Sequence, residues 1–596
     1  YLKERFHTRP RGLWLTERVW EPHLARVIAA AGIRYITVDD YHFLASGKRR
    51  EDLRGYYLTD DQGQAIAVFP IQQPLRYAMP FQAPEETIAI LRSAADESGQ
   101  AVMVMADDGE KFGVWPGTHD RCYGRDRWLD AMFSALEDNR DWIETTTLGD
   151  VHDSVPPLGR IYLPTVSYFE MSEWTLPADQ GRQFKARVEA IKKRGEWEEI
   201  QPFLRGGTWR NFQSLYDESN WMVKRNDRLS DLVARARQER RLPGSTLESV
   251  EENIWRAQCN CAYWHGVFGG LYLPHLRHAI FQALIEAEAT LAAAFPNGAL
   301  PPTDWDQDGG REWELHSNTL HLFCSEVGGV IRELDLLPVR FNLSNTLRRY
   351  AESYHSRLAE VDKQQTSTGS IHDRVTAKEP GLDKVLQVDT FPRAMWMDRF
   401  FSDDRSLARL SDGKAEAGDF VTRLYSGGKS GQGLTFQADG MAWGQPLRIH
   451  KTLTLEEARL RFSTRIAHRG TKPLSGWYGA EFNLGLLGGH SPDRFYLENG
   501  ERQGHLMDYA GRDAAIQSLA IRNDWDCFQV EFRFPEPVRL WRYPVFTVNM
   551  SEDGFEKVYQ GSAVLPYWNL TLQPGETMTI DYEIQVETWN QSNPSK

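Results

Sequence analysis

Cysteine is scarce in this chain: five residues among 596, an odd number. A disulfide framework is therefore not expected, and a reducing compartment is. No apolar run reaches the roughly 18 residues that a membrane span needs. Basic excess is missing as well. The formal net charge of -14 argues against nucleic acid as a partner. Internal repeats and low-complexity tracts are absent. Cys259, Cys261 and His265 form a C-x-C-x3-H string, but zinc sites space their thiols more widely and need four ligands, and no second cluster is visible.

What remains is the composition of an ordinary soluble protein, with 41% hydrophobic and 26% charged residues. At roughly 100–200 residues per domain, the length predicts two to four domains. Tryptophan is plentiful, with 20 residues. Such a count suits stacking on sugars, although most tryptophans serve the core.

The first part of the chain alternates strands and helices. Residues 11–16 read as a strand, and 22–31 as a helix entered at Pro22 and stopped at Gly32. Residues 35–38 and 65–69 read as strands. Residues 84–98 read as a helix with Pro84 at its start and Glu85 and Glu86 in its first turn. Residues 101–106 read as the next strand, 126–139 as a helix and 143–148 as a further strand. This order predicts a parallel α/β layer. Most of 180–290 has helical period, in 208–240, 246–258 and 274–294. From about residue 313 the period changes to two. Residues 459–466, 530–534 and 577–586 alternate apolar and polar positions between glycine-rich turns, as an antiparallel β-sandwich does. Residues 364–381 read as an exposed connection. The sequons at Asn342, Asn549, Asn569 and Asn590 carry little weight in a protein expected to be cytoplasmic.

Two stretches carry chemistry. Residues 104–119, VMADDGEKFGVWPGTH, run from an apolar strand into Asp107 and Asp108, then into Trp115. Residues 12–22, GLWLTERVWEP, run from a strand into Glu17, flanked by Trp14 and Trp20. In α/β folds the carboxyl ends of strands collect ligands and chemistry. Two strand-end acids, each beside aromatics, suit glycoside hydrolysis, which needs two carboxyl groups. The plainer reading of either acid is a polar turn. Asp39 and Asp40 end the strand at 35–38 and precede His42. They are candidates for sugar hydroxyls, or for capping their own turn.

WLTERVWEP and DDGEKFGVWPGTH resemble the third and fourth sequence regions of glycoside hydrolase family 57. Residues 257–277, AQCNCAYWHGVFGGLYLPHLR, resemble its fifth. The likeness is greatest to the 4-α-glucanotransferase and α-amylase branch, and YGAEFNL at 478–484 and residues 543–565 resemble that branch's β-sandwich. Residues 163–173, LPTVSYFEMSE, look like its substrate-rim loop.

The resemblance implies α/β plus all-β architecture: an incomplete (β/α)7-type barrel over 1–180, its first strands missing, a helical subdomain over 181–296 packed on the barrel, and a C-terminal β-sandwich over 297–596. Family members carry about a hundred residues ahead of this point, so the chain is expected to be truncated at its N-terminus, which leaves secretion open. Glu17 is then the implied nucleophile and Asp108 the general acid/base of a retaining mechanism. Trp14, Trp20, Asp39, Asp40, His42, Asp107, Trp115, Tyr263, Trp264 and His265 are candidate substrate contacts, with core packing the plainer reading of the tryptophans and a satisfied core position that of His265. The implied substrate is an α-glucan or maltooligosaccharide, no cofactor is required, and homodimer formation is left open.

Asp304, Asp306, Asp308 and Gly309 match the start of an EF-hand loop, but position twelve is Leu315, so that motif is rejected. A looser calcium site at the three aspartates stands beside a capped acidic turn. Two other classes compete with the α-glucan enzyme. One is a metal-dependent hydrolase, which would show clustered His/Asp ligands that are missing here. The other is a glucan-binding protein without activity.

Overall fold

The computed structural model describes residues 2–266, 268–295, 301–363, 377–402, 406–431, 433–551 and 554–590. The expected linker at 364–381 and turn at 297–310 lie partly outside those residues. The chain forms two compact units, Tyr1–Leu215 with Glu352–Ser356, and Tyr216–Ala351 with Arg357–Lys596.

The first unit is built on a four-stranded sheet in the order β1 (Gly12–Trp14), β2 (Tyr35–Asp39), β4 (Gln64–Ile71), β3 (Tyr57–Asp61). β1, β2 and β4 are parallel, with Gly12 opposite Tyr35 and Tyr35 opposite Ala67. β3 runs antiparallel to β4. Their two-residue turn, Gln62 and Gly63, has positive φ at both positions, the geometry that matches the strands' own twist. One face of the sheet buries Ile36, Val38, Ile66 and Val68 against Ala25 and Ile28 of the helix Leu24–Ala30. The other buries Ala67 and Phe69 with Tyr56, Val104 and Val151. Residues pointing alternately to the two faces are all apolar because both faces are covered.

Two expected strands differ. Residues 101–106 run parallel to the end of β4 but pair only through Val104, opposite Ile71, with Gln72 N donating to Val104 O at 3.0 Å. The cause is the β3 hairpin, which occupies that edge of β4 from Gln64 to Val68 and leaves only its carboxyl end. Residues 143–148 form no strand. The β-branched threonines there lead into the helix Leu148–Ser154, capped by Thr147, whose Oγ1 accepts from Asp150 N at 3.2 Å. A hydroxyl three residues ahead of an acid is a helix-start signal, and here it outweighs β propensity.

Among the described residues, the second unit carries three long helices, Asp217–Gln238, Gly244–Ala257 and Pro274–Leu291, followed by a sheet of fifteen antiparallel strands. Strands at Arg459–His468, Phe528–Ser551 and Thr577–Thr588 contain those read from the period of two. The sheet folds over itself. Ile331, Leu334 and Leu343 from one part share a core with Leu460, Phe462, Val530, Phe532 and Ile584 from another, as in a sandwich. A buried charge network crosses this unit. Arg225 pairs with Glu288 at 2.5 Å and Glu333 at 3.0 Å, and Arg228 pairs with Glu288 at 2.7 Å and Glu314 at 2.6 Å. Among the described residues no helix is long and apolar enough to cross a membrane.

Candidate active site

Because β1, β2, β4 and the Val104 segment run parallel, their carboxyl ends share one edge of the first unit. Glu17 lies three residues past β1, Asp39 ends β2, Asp40 follows it, and Asp107 and Asp108 lie just past Val104. The acids read from sequence thus converge on one edge.

Glu17 sits in a short 3-10 turn with φ 51°, and Arg18 has φ 47°. Left-handed backbone at a non-glycine residue costs about 1–3 kcal/mol and persists only where neighbours enforce it. Here the segment 166–168 does so. Val166 O accepts from Trp20 N at 2.9 Å, and Ser167 Oγ donates to Glu17 O. Tyr168 completes the clamp by donating its hydroxyl to Glu17 Oε2 at 3.0 Å. Burial, then the charge of Glu17, raises the Tyr168 phenol well above its ordinary value; it is therefore always a donor. Arg18 lies over the Tyr168 ring at 4.3 Å and over Trp14 at 5.4 Å.

Asp107 is not a free acid. Its Oδ1 pairs with Arg76 Nη2 at 3.1 Å and its Oδ2 with Lys111 Nζ at 2.5 Å. Burial alone would push its carboxyl up, but Arg76 and then Lys111 outweigh burial and hold it below the usual range. Arg76 also pairs with Asp39 at 3.0 Å, and Arg18 Nε stands 3.9 Å from Asp39. Charge therefore alternates along Arg18, Asp39, Arg76, Asp107 and Lys111, joining the turn of Glu17 to the loop of Asp108. Asp108 N donates to Asp107 Oδ1 at 3.0 Å, so the charged knot sets the backbone of the next acid.

The other candidates sort by burial. Trp14 and Trp115 are half-buried, which leaves ring surface for a sugar. Trp20 is a correction. It is 1% exposed, lies in the core beneath the sheet and donates to Leu163 O at 3.2 Å, so it has no open face. Asp40 is also committed, to Arg50 and to Gln73 N at 3.2 Å. Burial and then Asp39 raise its carboxyl, against Arg50. His42 is fully buried with ring nitrogens on Asp39 O at 3.0 Å and Arg18 O at 2.8 Å, and burial lowers its pKa. It braces the two acid-bearing turns from inside.

In the second unit, Tyr263, Trp264 and His265 are all buried. Tyr263 accepts from Asn226 at 2.6 Å, and His265 Nδ1 faces Gly269 O at 3.1 Å. Among the described residues, the C-x-C-x3-H string does not converge as a metal-capable group, whereas Asp304, Asp306 and Asp308 do. The five cysteines form no disulfide among the described residues. Asp304 accepts from Asp308 N and Gly309 N, both at 3.1 Å. Burial and then Asp308 raise Asp306 to about 6, while burial, Asp306 and Asp308 raise neighbouring Glu312 to about 9. Glu288, Glu314 and His321 also converge, but Arg225 and Arg228 already neutralise those acids.

Arg18, Arg76, Lys111 and Tyr168 are site residues that sequence reading did not single out. Lys111 carried a signal, standing four residues after Asp107 inside the motif. Arg76 carried none. A recess of about 710 Å³ opens at the opposite, amino-terminal ends of the strands, near Arg11, Arg34 and Ala65, and none of the acids lines it.

These strand-end acids on a parallel sheet belong to a recognised class. The glycosyl hydrolase family 57 model matches residues 1–164, and models for the middle and C-terminal domains of alpha-amylase/4-alpha-glucanotransferase match 207–291 and 304–582. The chain belongs to glycosyl hydrolase family 57. Alpha-amylase 1 of Dictyoglomus thermophilum is 37% identical over 97% of this chain and 83% of its own length. The 4-alpha-glucanotransferase of Thermococcus litoralis is 34% identical over 92% of this chain and 79% of its own. The crystal structure of 4-alpha-glucanotransferase from Thermococcus litoralis superposes with a TM-score of 0.81 at 30% identity, covering 97% of this chain and 82% of that one.

Proposed function

We propose that this protein is a retaining 4-α-glucanotransferase that acts on α-1,4-glucans, with Glu17 as nucleophile and Asp108 as general acid/base. The observation that carries the reading is the shared strand edge, where Tyr168 holds the Glu17 carboxylate and the Arg76–Asp107–Lys111 knot holds the backbone of Asp108. Glu17 bonds to the anomeric carbon as the bond to the leaving glycosidic oxygen breaks, and Asp108 passes its proton to that oxygen. A hydroxyl of a second glucan then bonds to the same carbon, giving its proton to Asp108 as the bond to Glu17 breaks. Water in place of the second glucan makes the reaction hydrolysis, and the identity to Alpha-amylase 1 favours α-amylase as the second reading.

The test is the product profile from pure maltotetraose. Chains longer than the substrate are expected. Only shorter chains assign the amylase reading. No reaction by a folded protein leaves glucan binding without catalysis.

The Asp304, Asp306 and Asp308 oxygens, hard ligands on a turn, fit a structural calcium ion; Glu312, raised to about 9 beside them, is the acid that such an ion would keep ionised. Cysteines that form no disulfide among the described residues favour the cytoplasm.

A further inference from the structure

Phe81 and Tyr123 stand on two segments that border the Asp108 loop. Arg121 ties these segments together. Its Nε donates to Pro80 O at 2.7 Å, and its Nη2 donates to Phe81 O at 3.2 Å and Gln82 O at 3.1 Å. Trp128 Nε1 fixes Gln82 O again at 2.6 Å. Tyr123 packs over Gly113, where an added Cβ would lie 3.0 Å from Tyr123 Cε2. Lys111 stands 5.3 Å from the Phe81 ring centre while its ammonium pairs with Asp107. One contact therefore separates this surface from the knot that carries Asp108.

The backbone is pinned, yet its large side chains face solvent. Phe81 is 47% exposed, Tyr123 61% and Val114 77%, and Trp115 on the same loop is half-buried. Exposed aromatics on a tied backbone suit a binding surface. Their chemistry suits the apolar C–H faces of glucose rings. Their place selects which part of the glucan they meet. A general acid delivers its proton to the leaving oxygen and later takes one from the incoming hydroxyl. The chain that leaves and the chain that arrives both lie on the acid's flank. Glu17 is held by a different segment, residues 166–168.

We propose that Phe81, Trp115 and Tyr123 form an acceptor platform that binds leaving and incoming α-1,4-glucan chains next to Asp108. This rests on Asp108 being the acid/base. The platform is the part of the site that lets a sugar hydroxyl outcompete water, and its ligand is a glucan of two or more residues.

The test uses α-maltotriosyl fluoride as donor, whose leaving fluoride needs no acceptor subsite, and maltose as acceptor. In the Phe81→Ala/Tyr123→Ala variant the KM for maltose is expected to rise about tenfold, and the hydrolysed share of donor to rise with it. Trp255→Ala, at a tryptophan 64% exposed in the second unit, is expected to change neither. An unchanged maltose KM, or a rise confined to the donor KM, overturns the platform. If the unaltered protein releases no fluoride, the catalytic reading itself fails. A second arm needs no variant. With the unaltered protein, acceptor kcat/KM is expected to increase from glucose to maltose to maltotriose, and equal values overturn the proposal.

Discussion

Tyr168 donates to Glu17 at 3.0 Å, and its phenol is buried and always protonated. A neutral donor on a carboxylate stabilises the ionised form without adding charge. Tyr168→Phe removes only the donating hydroxyl. A hydrogen bond to a charged group contributes about 1.5–3 kcal/mol, so kcat is expected to fall between about tenfold and a hundredfold. The acidic limb of the kcat/KM profile is expected to move to higher pH, because the Glu17 carboxylate loses a donor. Arg18 and Glu170 also act on Tyr168, and neither is altered by the change. A profile whose limb stays in place assigns Tyr168 a packing role alone.

Arg76 balances Asp39 and Asp107. Arg76→Gln leaves two buried carboxylates with less than their counter-charge. Removing one member of a buried pair costs about 3–5 kcal/mol, so urea denaturation is expected to show a loss of that order. Activity is expected to fall along with it, since the Asp108 backbone hangs on Asp107. A variant as stable as the parent contradicts the charge chain.

The second unit has its own pH signature. Burial disfavours charge on His321, but Glu288 and then Glu314 outweigh it and raise its pKa to about 10. The unfolded value is about 6.5. A raised folded pKa gives stability that is complete below the unfolded value and lost as pH climbs to the folded one. The melting temperature is therefore expected to decline between about pH 7 and 10, and His321→Gln to flatten that decline. Parallel curves for the two proteins contradict the assignment.

Calcium binding at Asp304, Asp306 and Asp308 is expected to raise the melting temperature on adding calcium and to lower it in chelator. Asp306→Asn is expected to abolish both shifts. A melting temperature indifferent to calcium in the parent leaves the cluster as a capped turn.

The local sequence determined the strand-end acids and the two periodicities. An apolar run that stops at a carboxylate places Glu17, Asp39 and Asp107 at or just past the carboxyl end of a parallel segment, and alternation marks the strands of the second unit. These are short-range signals, carried by neighbours along the chain. The fate of each candidate was set by tertiary packing. Trp14 and Trp20 flank the same glutamate, yet one is only half-buried and the other is sealed beneath the sheet. Asp107 and Asp108 are adjacent and chemically alike, yet Arg76, 31 residues away in sequence, reaches only the first. Val104 pairs with one residue of β4 because β3, joined to β4 by a two-residue turn, takes the rest of that edge. Burial and charge pairing are properties of the space around a residue, filled by segments distant in the chain, so only the folded structure decided which acid is locked and which lies next to it.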